Sequence, residues 1–176
     1  FSITKSKILR LISTVFIDVI RGTSLLVQIL FIYFGIPSVV DVTLSAFTAG
    51  VIAITLNAAA YLVEIFRAGI NSIDKGQMEA GRTIGLSYGQ TMRLIILPQA
   101  IRRMIPAFVN QFIVSIKDTS LLSAIGLAEL TLSGQSIYAV NFRAFEILTV
   151  VGILYFIIIY SLSIFSRWLE RRLDVA

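Results

Sequence analysis

The chain has 176 residues, 57% of them hydrophobic and 14% charged, with a net charge of +5 and a mean hydropathy of +0.89. A soluble domain averages about 45–50% apolar and about 25% charged residues, so this composition excludes a water-soluble globule and predicts an all-α, polytopic helical membrane protein. The absence of cysteine and histidine excludes disulfides and thiolate metal sites, and removes the commonest metal ligand and general base; the basic excess fits cytoplasmic loops rather than nucleic acid.

Phe1 stands where a Met would, and nothing at the start resembles a cleavable signal. Residues 5–21 are amphipathic, with Ile8, Leu9, Ile12, Val15, Phe16, Val19 and Ile20 on one face and Arg10, Ser13, Thr14, Asp18 and Arg21 on the other. A basic helix of that kind lies in the membrane interface. Spans are predicted at about 24–40 (ending near Pro37), 46–66, 104–125 and 146–166, each near the roughly 20 residues needed to cross hydrocarbon. The second is rich in Gly and Ala, which let helices approach closely. Residues 126–143 read as a less apolar loop. Of 15 Lys and Arg, four fall in 1–21, six in 67–103 and three in the tail, leaving only Lys117 and Arg143 for the other side. That bias places both termini and the 67–103 segment in the cytoplasm.

Residues 74–98 form the least apolar internal segment. Asp74 with Gln77 fits a capping box, and Gly85 suits the position just past a helix end. Ser87 with Gln90 starts a second helix leading to Leu97 and Pro98. The prediction is a short helix, a glycine break and another helix.

The pattern Glu79-Ala80-Gly81, then Gly85, then Ile95, Leu97 and Pro98, resembles the cytoplasmic EAA loop of ABC-importer permeases, with Gly81 replacing the second alanine. "RGTSLLVQILFIYFGIP", "AAYLVEIFRAGINSID" and "SIKDTSLLSAIGLAEL" are similar to the polar amino-acid uptake branch, the His/Glu/Gln/Arg/opine permeases. The resemblance covers nearly the whole chain, although that family usually has an additional span before the amphipathic helix. It implies the type I ABC-importer permease (MetI-like) fold in one transmembrane domain, in a bacterial cytoplasmic membrane. It also implies two cytoplasmic ABC ATPase subunits docked through Glu79, Ala80, Gly81, Arg82, Gly85, Ile95, Leu97 and Pro98. Glu79 would pair with a basic residue of the ATPase, and Ala80 and Gly81 would allow close approach. The remaining implied partners are a second permease subunit, either identical or a paralogue, an extracytoplasmic amino-acid-binding protein, membrane lipid and a polar amino acid. ATP and Mg would sit on the ATPase, with no cofactor on this chain. The sequence lacks a Walker-type phosphate loop, as a subunit that borrows its ATPase would.

Polar residues at membrane depth are candidates for the substrate pathway: Asn57, Glu64, Asn110, Gln111, Lys117 and Asp118. Each also has a structural reading. Glu64 can pair with Arg67 at i,i+3, and Asn57 can bond a neighbouring helix. Lys117 and Asp118, pointing about 100° apart, can reach separate partners. Two other functions remain open: an ion-gradient-driven secondary transporter, which would show an inverted repeat, and a non-transporting membrane scaffold.

Overall fold

A computed structural model describes residues 7–172. In chain order it contains α1 (Lys7–Gly22), α2 (Leu25–Leu30), α3 (Ile36–Val40), α4 (Ala46–Asn71), α5 (Lys75–Thr83), α6 (Tyr88–Thr91), α7 (Leu97–Asp118), α8 (Leu130–Asn141) and α9 (Ala144–Arg172). The tail beyond Arg172, which the charge count places in the cytoplasm, lies outside the described residues, as does the start of the amphipathic stretch.

Among the described residues two helices are long and apolar enough to cross a membrane, Ala46–Asn71 and Ala144–Leu169. A third arises if α1 and the 25–40 helix count as one pair, but that pair bends by 104°. The bend is pinned by side chains: Thr23 Oγ1 donates to the Val19 carbonyl at 2.8 Å, and Gln28 Nε2 donates to the Ile20 carbonyl at 2.7 Å. α7 carries Arg102, Arg103, Lys117 and Asp118 within its 22 residues and is not among the apolar helices.

Two prolines that the sequence suggests as stops are bridged instead. α2 runs through a π-helical turn, Phe31–Gly35, into α3, and α6 runs through another, Met92–Ile96, into α7. In each case the residue before the proline donates to the carbonyl five residues back, Ile36 N–H to Phe31 O and Leu97 N–H to Met92 O. Pro37 and Pro98 follow directly. A proline in a helix lacks one donor and clashes with the carbonyl four residues back, and a widened turn takes that carbonyl out of the ring's way.

The small residues of α4 are used for close packing. Ala49, Gly50, Ala53, Ala60 and Gly69 are buried; Gly50 faces Leu122 and Gly69 faces Met104. One apolar cluster joins Ile29, Ile32, Ala49, Ala53, Leu122 and Ile125. A second joins Ile73, Ile96, Ala100 and Met104 at the other end of α4, beside an edge-on contact of Phe66 and Phe108 at 5.0 Å. By contrast, none of the most apolar 18 residues of α9 is buried within the protein. That surface needs lipid or another chain to cover it.

Residues 126–143 were expected as a loop, and this expectation is corrected: 130–141 are helical. Glu129 caps α8, its carboxylate accepting the Thr131 and Leu132 N–H groups. α8 packs antiparallel on α9, with Gly134 against Val151.

Candidate functional site

The 74–98 segment folds as two helices joined by a defined turn. Asp74 Oδ1 accepts the Gly76 N–H at 2.7 Å and starts α5. Gln77 does not complete a box with it; its side-chain oxygen instead accepts from Gln99 at 3.5 Å. α5 closes through Gly85 N–H to Arg82 O and Leu86 N–H to Gly81 O, both 3.1 Å. With Gly85 at φ +90°, this is a Schellman ending. Ser87 and Gln90 then exchange reciprocal bonds of 2.8 and 3.3 Å, a complete capping box for α6.

Packing sorts the residues of this segment. Gly81 is buried against Thr91, which is itself fully buried, and Ile95. The close approach permitted by Gly81 is therefore to its own chain, to the turn that leads into α7. Glu79, Ala80, Arg82 and Gly85 are exposed, while Leu97 is half-buried. Ile95 and Pro98 line a shallow cleft of about 300 Å³ with Leu94, Gln99 and Arg102. Ile84, the residue just after α5, is 75% exposed and adds an apolar tip.

A larger open cleft of about 530 Å³ lies between α1, α4 and α7. It gathers three of the six pathway candidates, Glu64, Asn110 and Gln111. Arg21, Tyr61, Ser72 and Arg103 line it too; sequence reasoning placed Arg21 only on the polar face of α1 and did not single out the other three. Glu64 bridges two elements: Oε1 lies 2.9 Å from Arg67 and Oε2 lies 3.4 Å from Arg21 of α1. Arg21 also stands over the Tyr61 ring at 5.2 Å. Arg103 donates to the Ser72 carbonyl and so closes the end of α4 onto α7. The cleft thus offers guanidinium donors, a carboxylate and two amides within one concave surface.

The other three candidates lie elsewhere. Asn57 is buried and donates to Gln28 Oε1 at 3.4 Å, bonding α4 to the α1–α2 corner. Lys117 is exposed and Asp118 half-buried at the end of α7.

With this geometry in hand, comparison with known proteins is decisive. The family model described as "binding-protein-dependent transport system inner membrane component" matches residues 2–175. The chain belongs to this family. It is 51% identical over 165 residues to the glutamine transport system permease protein GlnP of Escherichia coli (strain K12), covering 93% of this chain and 75% of that protein. It is 45% identical over 172 residues to the L-cystine transport system permease protein TcyB of Bacillus subtilis (strain 168), covering 97% and 73%. Among solved structures, that of an amino acid ABC transporter with histidines superposes at a TM-score of 0.93 with 41% identity, covering 97% of this chain and 79% of that one. An inward-facing structure of the MetNI methionine ABC transporter shares the fold at 0.79 and 19% identity, over 97% and 78%. The protein is therefore an all-α membrane permease subunit with the ABC-importer permease fold.

Proposed function

We propose that this permease subunit imports a polar amino acid in an assembly powered by two cytoplasmic ABC ATPases. The carrying observation is the seating of α5. Gly81 and Thr91 fix its inner face and the Schellman turn fixes its end, so Glu79, Ala80, Arg82 and Ile84 project outward. A helix held rigidly at its base and left open at its tip suits docking into a groove on a partner. Movement of the ATPases then reaches α7 directly, because α6, the π turn and α7 form one continuous helical path. ATP and Mg²⁺ are carried by the ATPases; a second permease subunit completes the pair, and an extracytoplasmic binding protein delivers the substrate.

For the path itself, the reading is supported by the cleft of Glu64, Asn110, Gln111, Arg21 and Arg103. An amino acid presents an ammonium and a carboxylate, and amides beside charged groups match both. Glutamine is the first substrate to test, because the 51%-identical relative is a glutamine permease. In proteoliposomes holding the chain with its ATPase and binding protein, ATP should drive uptake of labelled glutamine or a similar polar amino acid. Uptake that follows an ion gradient without the ATPase would overturn the reading.

A further inference from the structure

The stretch between α7 and α9 departs furthest from simple spans. α7 gives way to a 3-10 turn, Thr119–Ile125, and α8 then runs antiparallel to α9. Two contacts fix where α8 begins along α9: Gly134 faces Val151, and Thr131 Oγ1 stands 3.3 Å from the Tyr155 hydroxyl. Tyr155 is eleven residues after Ala144, about 17 Å along a helix rising 1.5 Å per residue. That is near half of a roughly 30 Å hydrocarbon layer, and Tyr155 adjoins the centre of the 146–166 apolar run. Residues 119–131 therefore bring irregular backbone and the Glu129 carboxylate to mid-membrane. Such backbone is tolerated there only when buried in protein or lining a cavity.

Leu122 and Ile125 of this stretch are buried, it lines a cleft, and its polar groups find partners. Glu129 Oε1 accepts the Leu132 N–H at 2.6 Å and Oε2 accepts the Thr131 N–H at 2.7 Å. The Tyr155 hydroxyl donates to Oε2 at 3.1 Å and also meets the Thr119 side chain. One phenol thus joins the start of α8 to the middle of α9, with Thr119 at the end of α7 close by. Beside it lies a cleft of about 380 Å³ bounded by Thr55, Thr119, Leu122 and Glu129.

We propose that Glu129 and Tyr155 act together as a positioning pair for transport, holding the 119–129 stretch as one wall of this cleft so that it moves with the α8–α9 hairpin. The proposal rests on the reading of the chain as an ABC importer. A residue that merely capped α8 would need only the two backbone bonds, and Tyr155 contributes to neither. The roles are therefore separable. Glu129→Asp keeps an equally good N-cap type on a shorter side chain that draws the carboxylate away from Tyr155. Tyr155→Phe removes one hydroxyl and leaves the ring.

The test uses the whole transporter in proteoliposomes: wild type, Glu129→Asp, Tyr155→Phe and the double variant. The readouts are basal hydrolysis, hydrolysis stimulated by the loaded binding protein, glutamine uptake and melting temperature. Each single variant should lose about fivefold in stimulated hydrolysis and uptake, the factor that the net worth of one hydrogen bond represents. Basal hydrolysis should hold and the melting temperature should fall by no more than the few degrees one hydrogen bond represents, while the double variant should be no worse than either single, as for residues that act as a unit. Wild-type rates in Glu129→Asp, losses that multiply in the double variant, or basal hydrolysis that falls as far as stimulated hydrolysis would each overturn the pair. A wild type that fails to couple would instead overturn the importer reading beneath it.

Discussion

Gly81 sits so close to Thr91 that a Cβ at position 81 would lie 2.9 Å from the Thr91 hydroxyl oxygen and 3.2 Å from Ile95 Cδ1. That contact seats α5 on α6, which continues through the π turn into α7. Gly81→Leu should overpack the seam at roughly 1–3 kcal/mol and swing the exposed face of α5. Paired with Thr91→Ala, the milder Gly81→Ala should regain wild-type melting behaviour. Thermal unfolding of wild type, Gly81→Leu, Gly81→Ala and the Gly81→Ala/Thr91→Ala pair, with ATPase pull-down alongside, checks both statements; equal melting of Gly81→Leu and wild type would refute the seat.

At Gly85 the prediction concerns backbone conformation alone. Its φ of +90° lies where a side chain is strained, and no other atom lies within 4 Å of a Cβ there. Gly85→Val should therefore cost about 1–3 kcal/mol without any steric collision, and it should weaken ATPase retention by mis-aiming α5. Gly85→Asn, a residue that tolerates the left-handed region better, should recover most of both. Identical behaviour of Val and Asn would show that the turn is not what matters.

How much of this was legible in advance depended on whether the signal was local. The Ser87–Gln90 box and the Gly85 ending are set within a few residues, and the structure forms both. The Asp74–Gln77 box failed because Gln77 found Gln99, a partner 22 residues away. α8 was missed because its start is capped by Glu129, outside the usual Ser, Thr, Asp and Asn, and because "LTLSGQSIYAVN" shows no clear apolar stripe. Pro37 and Pro98 looked like stops because a π turn leaves no mark in sequence. The outward role expected for Gly81 turned inward for a similar reason: Thr91 lies ten residues on, and only the fold brings it back. The gathering of Arg21, Glu64 and Arg103 in one cleft is likewise a product of tertiary packing.

For Glu64, stability and transport should separate. The side chains of Glu64, Arg21 and Arg67 are 29%, 41% and 36% exposed, so solvent screens the pairs, and Glu64→Gln should change stability by less than about 1 kcal/mol. The variant removes the charge that faces Arg21 and Arg67 at the cleft, and amino-acid uptake should fall several-fold more than stability accounts for. Uptake measured beside melting temperature decides; unchanged uptake would make the triad a purely structural link between α1 and α4.

Orientation follows from the distribution of basic residues and can be read by labelling. Thr43→Cys, in the exposed turn before α4, should react with an impermeant thiol reagent added outside intact cells. Lys75→Cys at the start of α5 should react only after permeabilisation. The native chain has no cysteine to confuse the result. The reverse pattern would invert the topology and remove α5 from the reach of a cytoplasmic ATPase.

The most direct test of the account is Glu79→Lys. Glu79 is exposed on α5, so reversing its charge should leave membrane insertion intact. A carboxylate buried against a partner cation is different, since its loss costs roughly 2–5 kcal/mol at the interface. Membrane expression, ATPase pull-down and substrate-stimulated hydrolysis should be measured together on wild type and variant. The account predicts normal insertion with loss of the ATPase and of coupled hydrolysis; retention of both, or failure to insert, would contradict it.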